Sequence, residues 1–294
     1  MKSMVALVRR EFLEHRGAFF YAPGIILALM TIFMLSGVTF GRYEAIQKVG
    51  AITGAKGFEF GFLALSGLWM LYLLVALFFY FADAFSADNR NNSMLFWKSM
   101  PQSDFKMLAS KMTAGMTLFP ALIFAAAMLS GLVVFIGTLI MVLTVPGFEL
   151  PSPMTYLGTA ANVATFDLGY LVLALLWYAP FFAWVGLLST LFRRWSIPLA
   201  FLIPGLVGLA ENLVLRDTGP EAGYFLSYLR RRADFSIDRD LLTDALFRPG
   251  PFDAAGTLSR FAATVDFTQL GGGLIVAALL VYAASEYRRR NVAT

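Results

Sequence analysis

Six apolar runs constrain this chain more than anything else in it: residues 19–40, 60–82, 112–143, 166–192, 196–215 and 267–284. A bilayer's hydrocarbon core is about 30 Å thick, and about 20 apolar residues in helix are needed to cross it. Lipid offers no partner to a backbone N–H or C=O, so a spanning run must satisfy its own, and a helix does so. The expected fold is therefore an all-α membrane protein with about six transmembrane helices. Composition agrees, with 59% hydrophobic and only 14% charged residues. A soluble domain of this size would need far more charge to cover its core. No fixed-period repeat and no low-complexity linker divides the chain, so residues 1–294 read as a single membrane domain.

The third run is the outlier in length. Its 32 residues would extend about 48 Å as a straight helix, half as much again as the hydrocarbon core. It must tilt strongly or end in a re-entrant piece, and Pro120, Gly131 and Gly137 offer places to bend. Ahead of the first run, Met4, Val8 and Phe12 recur at helical spacing while Arg9, Arg10, Glu14 and Arg16 crowd the other side. This is the pattern of a helix lying in the membrane interface. The first run is too long for a signal peptide and no small-residue cleavage site follows it, so it reads as a retained anchor.

Orientation follows from the basic residues in short loops. With the N-terminus in the cytoplasm, the inner segments hold 13 of the 23 Lys and Arg residues. Seven of the remaining ten lie in one long, nearly neutral outer segment, 216–266, and long loops weigh little in this rule. The clusters "FRRW" and "EYRRRN" both fall inside, so both termini are expected in the cytoplasm. The outer segment itself should form short amphipathic helices, one over "GYFLSYLRRR" and one over "SIDRDLLTDALFRPG", the second ended by Pro249 and Gly250.

Several chemistries are excluded by what the chain lacks. It has no cysteine, hence no disulfide, thiolate or cysteine-bound zinc. Its one histidine, His15, rules out any site built on two imidazoles, and in "RREFLEH" Arg10 occupies the place of the first histidine of a zinc-protease helix. "GAITGAKG" has neither the glycine spacing of a phosphate-binding loop nor a Ser or Thr after Lys56, so no ATPase site is expected in this chain. The net charge of +4 is dispersed beside apolar runs, not along one basic face, which argues against nucleic acid. Among the acidic residues, Asp83, Asp167 and Asp266 are expected at span ends within reach of water. Glu211 with Asn212 lies deepest, and is the candidate for a transport pathway or a proton relay; a helix contact explains the same glutamate more simply.

One insert between two apolar runs carries the most specific signal, "NRNNSMLFWKSMPQSDFKMLASKM" at 89–112. Asp88 and Arg90 lead into an N-cap at Asn92 or Ser93, a one- to two-turn helix "MLFWKSM", a stop at Pro101 and a second N-cap at Ser103 before Asp104. Phe96 and Trp97 are aromatic anchors of the kind that fill a partner's pocket, and charges such as Lys98 can fix register. In this order of Asp88, Arg90, Trp97, "MPQSD" and Lys111, the insert resembles the loop between the second and third spans of type-2 ABC exporter permeases. Their six-span plan, N-terminal interfacial helix and outer elements between spans five and six are similar to the layout here.

That resemblance implies a membrane-spanning permease subunit, in the bacterial inner membrane, of an ATP-driven exporter. Two permease chains, identical or paralogous, would sit on separately encoded ATPase subunits that bind ATP and Mg themselves. The insert would be the coupling helix, seated in a groove of the ATPase. Its cargo would be an amphiphile such as a peptide, lipid or drug-like molecule, since aromatic-rich spans suit one. The alternatives are a membrane-embedded enzyme, which would need a dyad drawn from Asp83, Asp167, Glu211 or Asp266, and a non-transporting sensor or assembly subunit.

Overall fold

A computed structural model describes residues 2–40, 54–90, 103–144, 152–215, 223–235 and 251–290, and every element among them is helical. In chain order these are α1 (Lys2–Arg16), α2 (Ala22–Phe40), α3 (Gly54–Arg90), α4 (Asp104–Thr113), α5 (Phe119–Thr144), α6 (Pro153–Phe192), α7 (Ser196–Leu215), α8 (Gly223–Ala233), α9 (Ala254–Thr264) and α10 (Phe267–Arg290). Five helical stretches among these residues are long and apolar enough to cross a membrane: 3–36, 56–87, 104–140, 153–214 and 267–290.

The difference from six apolar runs lies in 153–214, where α6 and α7 are joined by a short 3-10 turn, Arg193–Trp195. The chain reverses there. The Trp184 indole N–H donates to the Ala200 carbonyl at 3.4 Å, whereas 16 residues of unbroken helix would separate them by about 24 Å. Arg193 makes the reversal with φ of 52°, in the half of backbone space that side chains rarely enter.

Two prolines are absorbed by π-helical turns. Gly17–Tyr21 joins α1 to α2 just ahead of Pro23, and Ala114–Leu118 joins α4 to α5 just ahead of Pro120. A proline has no N–H for the carbonyl four residues earlier, and a wider turn there is one way to accommodate the loss. The helix expected at the interface and the first apolar run are thus one helical run, as are "DFKMLASKM" and the third apolar run. In the third run the α-helical pattern is interrupted just ahead of Pro120. Gly131 and Gly137 are packing sites instead, with the Phe62 ring and Met34 lying where a side chain would be.

The 40-residue α6 is the axis of the bundle, with α3 and α10 packed along it, α5 against α3, and α2 against α5. The largest core is contributed by Trp69, Leu73, Leu77, Phe81 and Phe85 of α3, Phe119 and Ile123 of α5, Phe182 of α6 and Val281 of α10. Phe19 stacks on Phe119 with centroids 3.9 Å apart, which fastens the first π turn to α5. At the other end α9 lies against the first half of α6, and α8 returns alongside α7. "GYFLSYLRRR" is helical as expected; 236–250, with the second expected outer helix, lies outside the described residues.

Candidate functional site

The insert that resembles a coupling loop is bracketed by the end of α3 and the start of α4. Ser93, Phe96, Trp97, Lys98 and Pro101 lie outside the described residues. Asp88 and Arg90 fall in the last turn of α3, and their side chains are also outside them. Ser103 is the N-cap expected of it. With extended backbone, its hydroxyl accepts from the Lys106 N–H at 3.3 Å, occupying one of the amides that a helix start leaves open. Asp104 follows in the first turn, where the helix dipole favours a negative charge.

Asp104 also ties α4 to α10, its Oδ1 lying 3.8 Å from Nε of Arg288. Arg288 is 2% exposed despite its size, and its guanidinium also donates to the Phe85 carbonyl of α3 at 3.4 Å. On the other side, Lys106 Nζ donates to Ser3 Oγ of α1 at 2.7 Å. One turn of α4 is thereby held to α10 and α1, and Arg288 extends the link to α3.

A deeper pin lies one turn further on. Lys111 Nζ donates to Glu11 Oε1 at 2.9 Å, and the side chains are 2% and 3% exposed. The Tyr80 hydroxyl of α3 is 3.1 Å from both Glu11 Oε2 and the Lys111 carbonyl. The His15 ring stands edge-on to Tyr80, 4.8 Å between centroids. Glu11, Glu14 and His15 place three ligand-type atoms within 4.8 Å of one another. Yet both Glu11 oxygens are taken by Lys111 and Tyr80, and Glu14 pairs with Arg10 at 2.7 Å, so the group serves as an ion-pair cluster. Lys111 was legible as the lysine that opens the third run; Glu11, Tyr80 and Arg288 were not.

The other end of the bundle carries the second candidate. Glu211 accepts from the N–H groups of Tyr224 at 3.0 Å and Phe225 at 2.8 Å, so its carboxylate caps the start of α8, with Asn212 exposed beside it. Gly223 makes the tight entry to α8 at φ +75°, a conformation glycine adopts without strain. At the far end of α8, Arg232 is 3% exposed. It donates to the carbonyls of Gln269 at 2.9 Å and Trp177 at 3.2 Å, and stands over the Trp177 ring at 4.7 Å. Gly273 leaves the space it fills, since a side chain there would meet the guanidinium.

The four carboxylates that an enzyme reading would combine do not converge. Glu211 caps α8, and Asp266 accepts from the Thr268 and Gln269 N–H groups at the start of α10. Donation from Gln269 above all holds the Asp266 carboxyl below its ordinary range. Asp83 is half-buried at the opposite end of α3. Asp167 differs from expectation: it is not within reach of water but 4% exposed, because α6 begins at Pro153 and α3 and α9 cover this part of it. Comparison of the chain with protein-family models, with characterised proteins and with solved structures gives no match.

Proposed function

We propose that this chain is the membrane-spanning permease subunit of an ATP-driven exporter, with six spans in α2, α3, α4–α5, α6, α7 and α10. Both termini and residues 91–102 face the cytoplasm. The segment "MLFWKSM", 94–100, which lies outside the described residues, is the coupling element, seated in a groove of a separate ATPase subunit, and a second permease copy or paralogue completes the pathway. The cargo is an amphiphile.

The observation that carries this reading is the anchoring of α4. A loop that transmits force must be mounted on something that moves as a unit. The helix leaving 91–102 is fixed within its first two turns to α1 by Glu11 and Lys111, to α3 by Tyr80, and to α10 by Arg288. A push on the loop is thus delivered to four helices at once. An assembly subunit without transport has no need of such a mount.

Trp97→Ala, alone or with Phe96→Ala, tests the proposal. Truncating a buried aromatic anchor at an interface costs about 2–4 kcal/mol, or roughly 30- to 1000-fold in affinity. An aromatic resting on headgroups would leave assembly untouched. The expected outcome is a permease at normal abundance whose ATPase no longer co-purifies, or binds without stimulated turnover. Full ATPase retention with wild-type transport in the double variant would refute the coupling role.

A further inference from the structure

Asp167 lies away from the ion-paired end of the bundle. It is the sole Asp, Glu, Lys or Arg in the 40 residues of α6, and it lies at the contact between α6 and α3. Oδ1 is 3.1 Å from Oγ of Ser66, itself 1% exposed. Among the described residues, Oδ2 is buried with no hydrogen-bond partner.

The hydrogens at this contact can be assigned from geometry. Ser66 Oγ lies 3.0 Å from the Leu63 carbonyl of its own helix as well as 3.1 Å from Asp167, and a hydroxyl has one proton to donate. If Ser66 donates to Leu63, the contact with Asp167 needs a proton from the carboxyl. If Ser66 donates to Asp167, an ionised carboxylate is buried on one neutral donor with its second oxygen bare. Burying an unpaired charge costs far more than one neutral hydrogen bond returns. The first arrangement wins.

No charge on the surrounding helices alters this. On α3, Lys56 and Glu59 pair with each other at 2.5 Å, and Glu59 also accepts from the Phe252 N–H. At the start of α9, Asp253 accepts from the Gly256 N–H, and Arg260 is exposed and donates to the Gly256 carbonyl. On α8, the buried Arg232 is taken up by the Gln269 and Trp177 carbonyls, the latter ten residues along α6 from Asp167. On α7, Glu211 is occupied by α8. α5 carries no charged residue, and α10 carries none before Glu286. Arg193 and Arg194 lie at the far end of α6.

We infer that Asp167 is a proton-binding site: its carboxyl is the neutral acid while α3 and α6 are packed together, and it releases the proton when they part. On separation, water reaches the carboxyl and its O–H bond breaks, the electron pair staying on oxygen and the proton passing to water. On closure one proton is taken up again. Any movement that opens this contact is thus coupled to one proton, whatever the chain transports, and the inference does not depend on an ATPase partner.

Infrared spectroscopy of the full chain in lipid vesicles at neutral pH tests it. The wild type should show the deuterium-sensitive C=O stretch of a protonated carboxyl. Asp167→Asn should lose that band, and Ser66→Ala should shift its frequency by removing the one hydrogen-bond partner. Unfolding in weakly buffered detergent at neutral pH should release one more proton from wild type than from Asp167→Asn. A wild type without the band, a band retained in Asp167→Asn, or equal proton release would overturn the inference. Should Asp167→Asn fail to fold, the wild-type band and its shift in Ser66→Ala decide alone, and an unmoved band counts against it.

Discussion

Lys111→Met puts the mount of α4 to its most direct test. The ammonium lies 2.9 Å from a carboxylate, and neither side chain is more than 3% exposed. Removing it leaves Glu11 buried with, among the described residues, the Tyr80 hydroxyl as its one remaining donor, shared with the residue 111 carbonyl. Breaking a buried pair in this way costs about 3–5 kcal/mol, roughly 150- to 5000-fold in the folding equilibrium. Replacing both partners is different, because the desolvation of two charges disappears with their attraction. Glu11→Leu with Lys111→Met should therefore return close to wild-type stability, and Tyr80 still has the Lys111 carbonyl to donate to.

The assay is unfolding in mixed micelles by added dodecyl sulfate, followed by the fluorescence of the five tryptophans, on wild type, both single variants and the double variant. A coupling energy of at least about 2 kcal/mol is expected from this cycle. An exposed pair would give under about 1 kcal/mol. If Lys111→Met falls within that smaller margin, or the two single costs simply add, the pair does not hold α1 to α4.

Three further outcomes are expected. In this cysteine-free chain, Ser99→Cys should be shielded from an impermeant thiol reagent in intact cells while Ser236→Cys reacts; the reverse pattern would invert the assigned orientation. Gly131→Ala would set a Cβ 2.6 Å from the Phe62 ring, which is 2% exposed. The overpacking cost of about 1–3 kcal/mol should outweigh the gain of about 1 kcal/mol in helix propensity. Adding Phe62→Leu should recover stability, and failure to do so in the same unfolding assay counts against the contact. Glu211→Gln keeps an acceptor for the α8 amides and should leave transport and its pH response nearly unchanged, whereas Glu211→Ala should cost about 1 kcal/mol as a lost cap. A large loss of pH-dependent transport in Glu211→Gln would make this carboxylate a proton carrier instead.

What the sequence made legible was whatever is decided locally. Apolar runs reveal membrane helices because lipid forces each run to satisfy its own backbone, and the Ser103 cap is readable because its partner is three residues away. Helix ends were less readable. α6 starts at Pro153, capped by Ser152, 13 residues before the apolar run that announced it. Its first turns carry polar residues, and the helix persists there because Tyr156 and Val163 pack on Phe58 and Phe62 of α3. The turn that folds α7 back on α6 was visible only as "FRRW", a charge cluster, since nothing in those letters requires a positive φ.

The ion pair at the base of α4 shows what separates the readable from the unreadable. Residues 7, 11, 15 and 19 follow one another at the four-residue spacing of a helix face, and Leu7, Glu11 and Phe19 are buried. Glu11 thus stands on the apolar stripe of α1, although its neighbours Arg9 and Arg10 make the local letters look like a solvated face. A carboxylate on a buried stripe requires a cation. The basic residues of the insert that open α4 are Lys106 and Lys111, and Lys111 shares its helix face with Met107 and Leu108, both buried, while Lys106 does not. Lys111 was therefore readable from the run it opens, whereas Glu11 is marked only by its burial in the structure. The register between α1 and α4, across 100 residues of chain, is set by packing of Leu7 on Met107 and of Phe19 on Phe119, and no local pattern encodes it.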